Sequence, residues 1–235
     1  TSNPKTEYGV FHIIKEKALE ISTYLEALKR NGIDYKHYTG SPGLAMDILS
    51  DRATYFFHDI ESGALSDVRS DAEKRGLASR VKTFCGDSIR AFLKDDYLLS
   101  KDDFVFLDPY TPFDDDAEGF KFFDVFEKSV SSGAMTLLWY GYDKLEGKTR
   151  ISGYLKKAAT KCNEKIRTFE VWQKCMTEQD CKINPGAPGC GLACANLSNE
   201  SVHALEKYLT ILGSHYSNAV YCENEASLLT ESMEY

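Results

Sequence analysis

Three short apolar runs, Thr54–Ile60, Val81–Cys85 and Phe104–Leu107, alternate with helix-patterned segments, and each meets an acidic residue at or just past its end. Consecutive apolar residues are hidden only when a strand is covered on both faces, which is the environment of a parallel sheet. Strand and helix alternate three times, so the pattern predicts a Rossmann-like α/β fold, a mostly parallel, doubly wound sheet with helices on both faces. The Phe104–Leu107 run, wholly apolar, is expected near the centre of that sheet.

Elsewhere the periodicity is legible in outline. Phe11, Ile14, Ala18, Ile21, Leu25 and Leu28 recur every three or four residues, which predicts an N-terminal helix over 10–33 that Gly32 stops. The segment Thr39-Gly40-Ser41-Pro42-Gly43 feeds a short helix from Leu44 to Leu49, and Ser62 to Arg75 reads as a helix crossing back over the sheet. Later come a helix at Phe120–Val130, a strand at Gly133–Tyr140, a helix at Ile151–Ala159 and a strand around Thr168–Trp172. A Cys-, Gly- and Pro-rich insert over 173–191 precedes a strand candidate at Leu192–Leu197, a helix at Glu200–Leu212 and a short strand at Ala219–Cys222. Residues 223–235 read as a partly ordered tail. At 235 residues, a single domain over 1–235 is the default.

Composition narrows the functional classes. The longest apolar runs, such as Met135–Tyr140, are too short to cross a bilayer, and Thr1 opens a polar segment without the pattern of a secretory signal. A cytoplasmic protein is expected, with its seven cysteines reduced; a disulfide within the insert is the alternative under oxidising conditions. Cys175, Cys181, Cys190 and Cys194 have spacings that match no standard zinc pattern, so no metal is expected. The formal net charge of −8 opposes non-specific attraction to nucleic acid. Binding RNA would need a local basic patch, for which Lys144, Lys148, Arg150, Lys156, Lys157, Lys161 and Lys165 are the candidates, beside the plainer reading of a solvated face.

In an open α/β sheet, ligands bind at the carboxyl ends of the strands. Asp59, Asp87 and Asp108 stand at three successive strand ends. Asp59 is positioned to accept hydrogen bonds from ribose hydroxyls, and Asp87 falls where adenine contacts are expected, although each alone also reads as a helix cap or loop acid. The sharper signal is Phe104-Val105-Phe106-Leu107-Asp108-Pro109-Tyr110, an apolar strand ending in Asp-Pro-aromatic. It resembles the Asp-Pro-Pro-Tyr motif of amino-group methyltransferases, in which the acid accepts hydrogen bonds from the target amine and the aromatic ring stacks on the base.

Tyr38-Thr39-Gly40-Ser41-Pro42 is similar to the Tyr-Pro-Gly-Ser-Pro segment of the ribosomal RNA large subunit methyltransferase J family. Ala134–Tyr140 and Gly189–Asn196 are similar to its later strands, in the same order. The likeness covers roughly residues 10–222. It implies a class I methyltransferase fold, S-adenosylmethionine as cofactor, and adenine N6 of ribosomal RNA as substrate. By that resemblance Asp108, Pro109 and Tyr110 are catalytic, and Ser41, Asp59, Asp87 and Asp108 bind the cofactor.

Two departures stand beside the likeness. The family's Gly-rich first strand and Lys-His pair have no counterpart here, and that strand is central in such a sheet, so a gap is expected between the two halves. The stretch Asp34–Tyr38 would have to fill it, or else an upstream segment or a partner chain. At the motif, Tyr110 stands for the second proline and Thr111 for the aromatic, and Asp114-Asp115-Asp116 follows, which would repel a phosphate backbone. RNA is therefore doubtful as a ligand. The alternatives are a small-molecule or peptide amine as substrate, or a non-catalytic methyltransferase-like protein that binds a partner.

Overall fold

The computed structural model describes residues 23–30, 39–94, 98–177, 188–218, 220–221, 224–225 and 227–235. The chain, expected as one domain, divides into two compact units, Thr1–Lys94 and Asp95–Tyr235. Each is described by itself.

In the first unit, helix α1 (Thr23–Arg30) is followed by α2 (Ser41–Leu49), strand β1 (Tyr55–Asp59), α3 (Ser62–Lys74), β2 (Val81–Cys85) and α4 (Ser88–Lys94). Strands β1 and β2 pair in parallel from Tyr55↔Val81 to Asp59↔Cys85. Alternation along the strands sends Tyr55, Phe57 and Val81 toward Met46, Ala72 and Leu77, so α2 and α3 cover one face. Arg75 binds these helices together, ion-paired to Asp47 on α2 and to Asp71 on α3 at 2.9 Å. The predicted N-terminal helix is observed over α1; its remaining residues, and the stretch Asp34–Tyr38, lie outside the described residues.

The second unit holds β3 (Phe104–Leu107), α5 (Phe122–Ser131), β4 (Met135–Tyr142), α6 (Leu145–Cys162), β5 (Ile166–Gln173), β6 (Gly189–Ala195), α7 (Asn199–His215), β7 (Val220–Tyr221), β8 (Asn224–Glu225) and β9 (Leu228–Glu234). Five strands form one sheet in the order β3-β4-β6-β5-β9, and β7 and β8 form a separate pair. Burial alternates strictly along β4, so one face is fully buried and the other partly covered. Leu138, Tyr140 and Tyr142 meet Phe123, Phe126 and Val130 of α5 and Ile151, Leu155 and Ala158 of α6. On the opposite face, Leu137 packs with Phe169, Cys194 and Val202 of α7. Buried residues at 123, 126 and 130 recur at helical spacing, and the Asp124 carboxylate accepts the Lys121 N–H at 2.8 Å, which fixes where α5 begins.

Four expectations are corrected here. The five-stranded sheet is mixed rather than mostly parallel: β3 and β4 are parallel, but β6 runs antiparallel to β4 and β5, and β9 antiparallel to β5. Strand direction leaves no mark in local periodicity; it is set by which neighbour a strand finds. Strand β3 lies at one end of the sheet, with Phe104 52% and Phe106 44% exposed, not at the centre. Residues 228–234, read as part of a tail, are an ordered strand whose seven register pairs with β5 run from Arg167↔Glu234 to Gln173↔Leu228. The end of the insert is strand as well, since Gly189, Cys190 and Gly191 belong to β6.

Candidate functional site

The candidate site in the second unit is built at the carboxyl ends of β3 and β4. Strand β3 ends at Leu107, and the chain turns through Asp108, Pro109 and Tyr110. Burial raises the Asp108 carboxyl above the ordinary carboxylate range, and the group has neither hydrogen bond nor ion pair among the described residues. Tyr110 is 86% exposed and lines a cleft of about 540 Å³. Phe113, Trp139 and Tyr142 contribute its aromatic surface, and the first two turns of α6, from Lys144 to Ile151, form the facing wall. Asp108 and Pro109 stand immediately before the lining residues rather than among them.

The loop that carries this motif is anchored by Phe113, a residue that no sequence motif singles out. Phe113 packs 5.0 Å from Phe123, stacks on Tyr154 at 5.3 Å and meets Tyr140 edge-on at 6.1 Å. The Phe123 N–H reaches the Pro112 carbonyl at 2.9 Å. Aromatic contacts of this kind add roughly 0.5–1.5 kcal/mol each beyond the area they bury, enough to hold a loop that has little regular structure. The acidic run beyond it is partly structural. Asp116 accepts the N–H groups of Glu118 and Phe120 at 2.8 and 2.9 Å, and Asp115 lies 3.4 Å from Lys121. Asp114 lines the cleft.

Beneath the cleft lies a polar cluster that periodicity alone does not disclose. Across the sheet, Tyr140, Gly191 and Glu170 stand in one row, and Tyr142, Gly189 and Trp172 in the next. Because Gly191 has no side chain, the Tyr140 ring lies over β6, and its hydroxyl donates to Glu170 Oε1 at 2.8 Å. Glu170 is 1% exposed. Its Oε2 lies 3.1 Å from Lys148 Nζ but off the hydrogen-bonding direction, so charge rather than a directed bond holds it. The same ammonium pairs with Glu231 of β9 and sits 3.8 Å from the centroid of the Trp172 ring. Burial alone would lower the Lys148 pKa, but its hydrogen bond to Glu231 and the charges of Glu170 and Glu231 outweigh that and raise it. Burial, reinforced by the Glu170 charge, raises the phenols of Tyr140 and Tyr142. The cluster therefore ties α6, which walls the cleft, to β5 and to the C-terminal strand.

In the first unit, Asp59 ends β1, and one carboxylate oxygen accepts the Glu61 N–H at 2.8 Å. Its carboxylate has no further partner among the described residues, and its backbone carbonyl accepts the Gly86 N–H at 3.0 Å. Asp87 follows β2 and is occupied: Oδ1 accepts the N–H groups of Ile89 and Arg90, and Oδ2 lies 3.0 Å from the Arg90 guanidinium. It acts as the cap of α4. Ser41 is the first residue of α2, exposed, behind Gly40 and ahead of Pro42. These three residues lie in the first unit and Asp108, Pro109 and Tyr110 in the second.

Of the seven basic residues considered as a patch, three are engaged in ion pairs: Lys148 as above, Lys161 with Glu127 at 2.6 Å and Lys165 with Glu234 at 2.8 Å. Cys175 is disulfide-bonded, which departs from the expectation of reduced thiols throughout, whereas Cys85, Cys162, Cys190 and Cys194 are free. No described helix is long and apolar enough to cross a membrane.

No protein-family model matches the sequence, and no curated protein matches it. Among solved structures, a Legionella pneumophila protein whose family model is DUF519 superposes with a TM-score of 0.62 at 16% identity, covering 96% of this chain and 80% of that one. The chain shares that protein's α/β fold. A candidate rRNA methylase from Clostridium thermocellum superposes with a TM-score of 0.41 at 15% identity, covering 66% of this chain and 81% of the other, too slight a likeness to argue from.

Proposed function

We propose that the protein is an S-adenosylmethionine-dependent methyltransferase acting on an amino group. The observation that carries this reading is Asp108: a carboxylate at the end of a parallel strand, in an Asp-Pro-Tyr turn, with no partner among the described residues and with an aromatic-walled cleft directly after it. A group kept free of partners and lifted in pKa by burial is suited to accept a hydrogen bond from a substrate N–H.

The residues present fit the cofactor in part. Asp59 has one oxygen held by the chain and the other available to ribose hydroxyls. Asp87 caps a helix with both oxygens engaged, so a role against adenine falls to the backbone around it, and Ser41 lies open at the start of α2. When bound, S-adenosylmethionine supplies an electrophilic methyl group. Asp108 accepts the amine N–H and aims the nitrogen lone pair. Tyr110 supplies a face against which a planar substrate stacks. With the cofactor bound, its methyl group would go to the amine nitrogen, and Asp108 or solvent would take the proton that the nitrogen loses. The outer edge of β3 is unpaired among the described residues and carries no charge to blunt it. That supports a further strand, from an upstream segment or a partner chain, pairing there.

Asp59→Ala is expected to weaken cofactor binding, while Asp108→Ala leaves binding in place and abolishes methyl transfer. Equal loss of binding in both variants would refute the assignment. The occupied Asp87 favours a second reading, a methyltransferase-like protein that binds without catalysis; for that protein both variants would leave every cofactor titration flat.

A further inference from the structure

We propose that Lys148 is a positioning residue: its ammonium makes the seat of the cleft's α6 wall and the pairing of the C-terminal strand β9 depend on each other. This rests on the reading of that cleft as the substrate's site. In the register of the sheet, Glu170 of β5 and Glu231 of β9 stand directly opposite one another. Cross-strand partners place their Cβ atoms roughly 4.5–5.5 Å apart, and like charges in that arrangement are destabilising. Glu170 is buried, so water does little to screen the pair. Among the described residues, Lys148 is the only cation paired with either carboxylate. Strand β9 therefore pairs in this register because a base from α6 sits over its own acid and the acid beside it.

The same base comes from the part of α6 that faces the cleft. Gly147 precedes it and Ile151 follows one turn on, and both line the cleft. At Gly147 the helix comes close to β4, since an added Cβ would lie 3.3 Å from that of Tyr142, another lining residue. The Lys148 ammonium lies over Trp172, two residues along β5 from Glu170, so one side chain joins the cleft wall to the two strands at the far edge of the sheet. Tyr235 packs against the core cluster that includes Ile151 and Leu155, which adds an apolar tie between the same elements. The opposite wall has its own anchor, Phe113 against Phe123 of α5. The other acid of β9 at this end, Glu234, pairs with Lys165 and Arg167, which lie outside α6. Coupling of this kind is reciprocal: what loosens β9 loosens the wall, and what fixes the wall fixes β9.

The test needs no substrate. Hydrogen exchange read by mass spectrometry follows the amides of β9 and of residues 145–151, and fluorine NMR of protein labelled with fluorotryptophan follows Trp139 in the cleft. The chain has two tryptophans, so Trp139→Phe assigns the signal. Glu231→Gln leaves buried Glu170 its cation, and should speed exchange at least about threefold in both segments while shifting the Trp139 signal. Lys148→Met should act more strongly, about tenfold or more, and Lys148→Arg should bring both readouts back toward the unsubstituted protein. Should Lys148→Met fail to fold, Glu231→Gln alone decides. Lys165→Met removes a base from β9 without touching α6, and should leave residues 145–151 and Trp139 unchanged. Faster exchange in β9 alone, an unmoved Trp139 signal in Glu231→Gln, or an equal effect of Lys165→Met overturns the proposal and reduces Lys148 to a stabilising contact. S-adenosylmethionine is titrated alongside: absence of binding overturns the methyltransferase reading, while the exchange and fluorine results, which need no ligand, still decide the coupling.

Discussion

Substituting Gly191 by alanine probes how the sheet supports the cleft. A Cβ at this position would sit 2.7 Å from Cε2 of Tyr140 and closer still to Cζ and the hydroxyl. The ring has no route to solvent, since Tyr140 is fully buried between β6 and the α5–α6 layer. Forcing a methyl group into a packed core costs roughly 1–3 kcal/mol. Displacing the ring also breaks its bond to Glu170, and a hydrogen bond to a charged group contributes roughly 1.5–3 kcal/mol. Against this, alanine restricts the unfolded chain more than glycine does, a gain of roughly 0.4–1 kcal/mol. The net loss should be about 3 kcal/mol, read as a lower urea midpoint with an unchanged slope in tryptophan-monitored unfolding. A loss below about 0.5 kcal/mol would show that the ring moves freely and that the glycine row does not determine the Tyr140–Glu170 contact. Gly153 provides the opposite control: it is exposed inside α6 with no atom close to where an added methyl group would lie, so Gly153→Ala should stabilise by roughly 0.5–1 kcal/mol.

Lys148→Met removes the cation facing buried Glu170 and should cost roughly 3–5 kcal/mol in the same assay; a neutral outcome would mean that water or another base reaches Glu170. Tyr142→Phe deletes a buried hydroxyl without a partner among the described residues, so thermal unfolding should find stability unchanged or higher by about 1 kcal/mol. Folded Lys148, Tyr140 and Tyr142 all have raised pKa values, so the stability tied to their protonated forms is complete below the unfolded values near 10 and declines as pH rises beyond them. Melting temperature should therefore fall steeply above about pH 10, less so in Tyr142→Phe; a flat alkaline profile would contradict the burial of these groups.

Much of the fold was legible because it rests on periodicity. Phe104–Leu107, Thr54–Ile60 and Val81–Cys85 contain strands β3, β1 and β2, and Phe123, Phe126 and Val130 mark the buried face of α5. What escaped depends on partners distant in sequence. Nothing local shows that β6 runs antiparallel, because direction is decided by β4 and β5 meeting it on either side. Gly189-Cys190-Gly191 looks like loop chemistry, and its meaning as a strand emerges only when two tyrosine rings occupy the space the glycines leave. The C-terminal residues resemble a polar tail, yet Glu231 and Glu234 find Lys148, Lys165 and Arg167 and finish the sheet edge as β9. At the site, Asp108, Pro109 and Tyr110 were visible as a motif. Phe113, which anchors their loop, carried only the faint signal of being the first apolar residue after the motif's proline turn. Asp87 illustrates the limit of position alone, since a strand-end acid serves here as a helix cap.

Binding of S-adenosylmethionine through Asp59 is measured by isothermal titration calorimetry of the purified protein with the cofactor and its demethylated product. Saturable heat is expected with a dissociation constant of about 1 μM or tighter, about −8 kcal/mol, and the affinity should fall at least about tenfold in Asp59→Ala. No heat at millimolar cofactor, from a protein shown to be folded, would contradict it.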